Sequence, residues 1–187
     1  MKHVGTKTNS ADIVTQDQLK GTRYVAISTA SQVLPAATRT YIAGSGLTIP
    51  AGSLVAGFSA SWELTLTKTA AGVAASTYDI AIGTLGATGD AARISFTKPA
   101  GTAVVDEAKV YIKFIVQSVG ASGIAVGNFH LSHNLSATGH ATVPNVVVTN
   151  TSAAFNTTTV TKIGICAKTG AADAITVKMC SSEGWSV

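Results

Sequence analysis

The sequence predicts an all-β fold: a jelly-roll β-sandwich over residues 22–187, preceded by a short N-terminal arm, residues 1–21. Three observations predict it. In FSASWELTL, Phe58, Ala60, Trp62, Leu64 and Leu66 alternate with polar residues, the side-chain period of a half-buried strand. Turn signals recur at roughly the 8–12-residue spacing of a sandwich or barrel. After residue 21 no segment keeps a helical period.

The elements follow in order. Residues 1–21 differ from the rest: Asn9 or Ser10 can cap a short helical turn, Asp12 suits its start and Gly21 its stop. RYVAIST reads as the first strand, and ASQVLPAATRTYIAG as a link. LTIPAGSLVAG places a proline and two glycines inside an apolar run. A helix interior excludes Pro50, so the stretch reads as strand end, turn and strand start anchored by Leu47, Ile49, Leu54 and Val55. STYDIAIG sets Tyr78, Ile80 and Ile82 on one face. ARISFTK follows, and DEAKVYIKFIVQSVG puts Val110, Ile112, Phe114 and Val116 opposite Lys109, Tyr111, Lys113 and Gln117. GIAVGNFHLSHNL, NVVVTN, TVTKIGICAK and AITVKMCSS complete the set. Strands joined by mixed short and long links favour two facing sheets over an up-and-down barrel.

Composition narrows the partners. Only 12% of the 187 residues are charged, about half the roughly 25% of ordinary soluble domains. Residues 115–161 contain no Asp, Glu, Lys or Arg. A surface of Ala, Gly, Ser and Thr in place of charge suits one hidden in an assembly, so the chain is expected to oligomerise. The net charge of +4 is spread out, without the Lys/Arg clusters and interleaved aromatics of a nucleic-acid surface. The uncharged run from Thr40 to Trp62 is broken by Pro50 and four glycines, so membrane insertion is not expected. MKHVGTKTNS lacks the apolar core of a signal peptide.

No catalytic residues, metal ligands or cofactor are expected. His130, His133 and His140 cluster in FHLSHNLSATGH, but on a strand residues 130 and 133 point to opposite faces, and no carboxylate lies nearby in sequence. They read as surface or loop histidines. Asp79, Asp90, Asp106, Glu107, Asp173 and Glu183 read as turn residues rather than a facing pair. No nucleophile elbow or phosphate loop occurs. Trp62, in the inward alternating set, reads as core. Cys166 and Cys180 read as free thiols in two neighbouring strands of a hairpin.

VGTKTNSADIVTQDQL, IPAGSLVAG, the S-V-G exit of KVYIKFIVQSVG and the closing AADAITV resemble the jelly-roll surface proteins of tailed-phage virions: capsid decoration proteins, head fibres and short tail-fibre tips. The likeness departs at Gly57-Phe58, where such turns often carry Gly-Asp. The resemblance implies a homotrimer on the virion surface without enzymatic activity. It implies an arm that binds the major capsid protein or another virion protein, with Val4, Ile13, Val14 and Leu19 as anchors. It leaves open a tail-fibre tip that binds host surface glycans, for which Tyr41, Phe129, Phe155 and Trp185 are the candidate contact aromatics.

Overall fold

The computed structural model describes residues 22–170 and 175–186. The expected arm, with Val4, Ile13, Val14 and Leu19, lies outside the described residues, as does Asp173. The described chain forms twelve strands: β1 (Arg23–Ser28), β2 (Gln32–Leu34), β3 (Thr40–Tyr41), β4 (Leu47–Ile49), β5 (Ser59–Lys68) and β6 (Ser76–Gly83). The second half supplies β7 (Ala91–Lys98), β8 (Asp106–Ser118), β9 (Ile124–His133), β10 (Asn145–Thr151), β11 (Thr161–Thr169) and β12 (Ile175–Trp185).

Two antiparallel sheets result. The larger runs β1–β12–β5–β8–β9–β10, with β2 continuing the line of β1 along β12; the smaller runs β3–β11–β6–β7, with β4 continuing β3 along β11. With β1/β2 and β3/β4 each counted as one broken strand, and the β9–β10 hairpin set aside, eight strands remain. Their spatial orders are 1-8-3-6 and 2-7-4-5, the arrangement of a jelly roll. Residues 30–44, expected as a link, therefore contain β2 and β3. Those strands are only three and two residues long, too short to show a period.

The inward side chains are those of the alternating sets. Ala60, Trp62, Leu64 and Leu66 from β5 and Val110, Ile112, Phe114 and Val116 from β8 meet Tyr78, Ile80, Ile94, Phe96, Ile163 and Ile165 of the other sheet. Trp62 is wholly buried and its Nε1 donates to the Ser45 carbonyl at 2.7 Å, so the one polar atom of the ring is satisfied inside. Ser45 also repairs the gap between β3 and β4. There the chain bows away from β11, and the Ser45 hydroxyl accepts the Ile165 N–H at 2.9 Å in place of a strand carbonyl.

The turn in LTIPAGSLVAG forms as expected. Ser53 N–H donates to Pro50 O at 3.1 Å, and Gly52 takes φ +77°, a conformation that favours glycine. Three β-bulges interrupt the ladders. In β7 the partners step from Ile80↔Ile94 to Ala81↔Ala92, which leaves Arg93 as the extra residue.

The flank between the sheets is laced on one side. Ala153 N–H donates to Arg93 O at 2.9 Å and Asn150 Nδ2 to Ser95 O at 2.6 Å, so the strand end after β10 lies along the edge of β7. Over the outer face of the smaller sheet, Arg39 binds Asp79 Oδ2 through Nε at 3.0 Å and the carbonyl of Asp90 through Nη1 at 2.9 Å. Asp79 is thus a strand residue in an ion pair, a correction to its reading as a turn residue. Asp90 does hold a turn, its carboxylate accepting from Leu85 and Gly86 N–H.

Cys166 and Cys180 are free and buried. They do not share a hairpin. β11 and β12 belong to opposite sheets, because among the eight jelly-roll strands every link but β6–β7 crosses between the layers.

Candidate functional site

Chemistry-bearing side chains converge at one end of the sandwich. The inward period of four strands, carried one step past its last apolar residue, reaches Lys68 after Leu66, Lys98 after Phe96, Asp106 before Ala108 and His133 after Leu131. All four therefore point inward at the same end, and the registers Lys68↔Asp106 and Ala108↔His133 place them together. Lys68 is 1% exposed and Lys98 0%. Charges so deep require partners.

Backbone carbonyls supply them. Lys68 Nζ donates to the carbonyls of Thr69 (3.0 Å), Thr102 (2.6 Å) and Val104 (2.7 Å). Lys98 Nζ donates to Pro99 O and His140 O, both at 2.6 Å. Asp106 accepts from Glu107 N–H at 2.9 Å, His133 Nδ1 at 2.7 Å and His140 N–H at 2.9 Å. His133 Nε2 lies 2.7 Å from Val143 O. The β7–β8 and β9–β10 loops also bind each other, through Thr102 N–H to Gly139 O and Gly139 N–H to the Thr102 hydroxyl. The cluster is a clasp that fixes two loops across the end of the core.

Its electrostatics follow from burial. Desolvation lowers the Lys98 pKa to about 8 and also lowers that of Lys68, against the pull of Asp106. Burial pushes the Asp106 carboxyl up. The hydrogen bonds from His140 N–H, His133 and Glu107 N–H together outweigh it, and the pKa lies below the ordinary carboxylate value. His140 is wholly buried with neither ring nitrogen partnered. Burial first, then the charges of Lys98 and Lys68, bring it down to about 4 against the opposing pull of Asp106.

The chemistry open to this cluster is limited. His133 faces an acceptor at each ring nitrogen, so neither is left for a nucleophile or a substrate. Among the described residues, no three His, Cys, Asp or Glu side chains are placed to hold a metal ion.

The sequence reading of the histidines is corrected in part. Residues 130 and 133 do face opposite sides, and His130 is outward, its Nε2 3.4 Å from Asn145 Oδ1. His133 and His140 are interior rather than surface groups, and a carboxylate does lie beside them: Asp106, 27 residues from His133 in sequence and adjacent through the β8–β9 register. Asp106 is likewise not a turn residue but the first of β8.

The candidate contact aromatics do not assemble. Phe129 is 0% and Phe155 3% exposed; Phe129 stacks with Phe96 in the core, ring centroids 5.7 Å apart. Both are removed from any contact surface because they occupy inward positions. Tyr41 is half-buried against Gly164 on the smaller sheet, and Trp185 ends β12 on the larger one.

The outer face of the larger sheet is the other notable surface. Val25, Ile27, Val33 and Val147 are between 51% and 64% exposed. One cross-strand row runs Ile27, Ser181, Glu63, Tyr111, His130, Val147.

No family model and no curated protein matches the chain. Among solved structures it is similar to a legume lectin-like domain from Entamoeba histolytica, at 10% identity and a TM-score of 0.30, covering 88% of this chain and 90% of that one. A likeness this distant carries no functional argument.

Proposed function

We propose that the chain is a non-enzymatic structural protein of a tailed-phage virion. In this reading it is a homotrimer that decorates the capsid or forms a head fibre, docking on the major capsid protein or another virion protein through residues 1–21. The observation that carries it is the outer face of the larger sheet, where Val25, Ile27, Val33 and Val147 stand exposed beside charges that already pair with one another, Arg23 with Glu183 and Lys109 with Glu63. Apolar side chains exposed at both margins of one sheet suit burial against sister chains. The clasp supports the same reading, since it spends its ionisable groups on holding loops rather than on a substrate. A tail-fibre tip that stacks glycans on aromatic rings has lost Phe129 and Phe155 to the core, so decoration is the reading we carry.

Light scattering on the full chain tests it. Three chains per particle are expected, and Ile27→Asp combined with Val147→Asp should lower the mass to one chain. Removal of residues 1–21 should leave the β fold by circular dichroism while abolishing co-sedimentation with virions. A stable single chain in the unaltered protein overturns the proposal.

A further inference from the structure

At the end of the sandwich opposite the clasp, a cleft of about 140 Å³ is lined by Ile82, Thr84, Arg93, Phe155, Asn156 and Thr159, among others. Arg93 is the residue that the β7 bulge leaves unpaired, and a bulge is a common device for re-aiming one side chain. Its guanidinium has five donor hydrogens. Among the described residues, the only bond shown is from Nη1 to Ala154 O at 2.7 Å. Nε is buried without a partner, and among the described residues no carboxylate pairs with the group. Asp90, on the adjoining loop, is committed to Leu85 and Gly86. The Nε side is closed to solvent, so the donors left for a ligand are those of the Nη1/Nη2 end, which can face the two oxygens of a carboxylate.

The rest of the lining narrows the ligand. Thr84 and Thr159 are exposed at the rim and carry hydroxyls, Asn156 offers its amide Nδ2 because its Oδ1 already accepts from Thr158, and Ile82 and Phe155 give an apolar floor. Hydroxyl partners around an apolar patch suit a sugar ring, and the arginine adds a demand for negative charge. We propose that this cleft binds the carboxylate of an acidic sugar of the uronate type, Arg93 taking the carboxylate and the threonines the ring hydroxyls. The proposal stands apart from virion assembly and needs neither the trimer nor residues 1–21.

Titration of the full chain with sodium glucuronate, glucose and sodium acetate, followed by NMR chemical shifts, tests it. Glucuronate should shift residues 82–84 and 155–159, and glucose and acetate should bind at least about tenfold more weakly. Arg93→Gln and Arg93→Lys should each weaken glucuronate by about tenfold or more, the second because a single ammonium lacks the fork. Because Arg93 also holds Ala154, Thr159→Val serves as a second variant, and it should weaken glucuronate while leaving the melting temperature unchanged. Equal binding of glucose overturns the carboxylate, equal binding of acetate overturns the sugar, and undiminished binding to folded Arg93→Gln overturns the site.

Discussion

His133 Nδ1 meets Asp106 Oδ2 at 2.7 Å, with side chains 0% and 1% exposed, and this contact joins the end of β9 to the start of β8. Removing one member of such a pair leaves the other buried without compensation. Asp106→Ala is expected to destabilise the fold by about 3–5 kcal/mol, read as a lower urea midpoint. A loss under about 1 kcal/mol would show that the contact behaves like a surface pair.

Acid should weaken the protein in two ways. His140 is held near 4, against 6.5 for the free side chain, so between those values the unfolded chain binds the proton and the folded one does not. Stability therefore falls as pH falls from 6.5 to 4, by on the order of 3 kcal/mol. The Asp106 contribution, present above the ordinary carboxylate value, is lost as pH drops through its lower folded pKa. Lys98, lowered from 10.5 to about 8, acts with the same sign higher up, and stability should rise with pH between those values. Urea midpoints across pH 4–7 check the first limb. His140→Phe should flatten it; an equal slope in that variant would assign the acid sensitivity elsewhere.

Two glycines should respond differently to alanine. At Gly139, φ is +94° and a Cβ would run into Asp106 Oδ2, so Gly139→Ala combines backbone strain with damage to the clasp. At Gly52, φ is +77° with open space around it, and only the strain remains, roughly 1–2 kcal/mol. Thermal melting of the two variants should place Gly139→Ala clearly lower. Equal melting temperatures would mean that the loop yields around the added methyl group.

The thiols should be inert in the native protein. Burial raises the Cys166 pKa to about 11 and that of Cys180 to about 12, so neither supplies thiolate near neutrality. Both should resist iodoacetamide at pH 8 for hours and react within minutes in urea. Rapid native labelling of either would reveal an opening of the sheet that carries it.

The strands were legible because alternation is local: FSASWELTL and KVYIKFIV show their inward faces without any knowledge of partners. Which strands lie in which sheet was not, and the two cysteines show why, since consecutive strands of a jelly roll need not pair. The clasp was half visible. Lys68, Lys98, Asp106 and His133 each sit one step beyond an inward apolar run, so extending the period would have turned all four inward. Their meeting depends on register across strands far apart in sequence, which no local pattern records. His140 lies in a loop and had no such signal.

The lacing of Ala153 and Asn150 onto β7 ties the two sheets together along one flank, and on the other the Gln32 side chain bridges β2 to the Tyr41 carbonyl and the Ala43 N–H. With backbone groups on both flanks already engaged, a further strand has few places to add edge to edge. Copies of the chain should then meet through the broad faces, and overproduction should yield particles of fixed size rather than fibres.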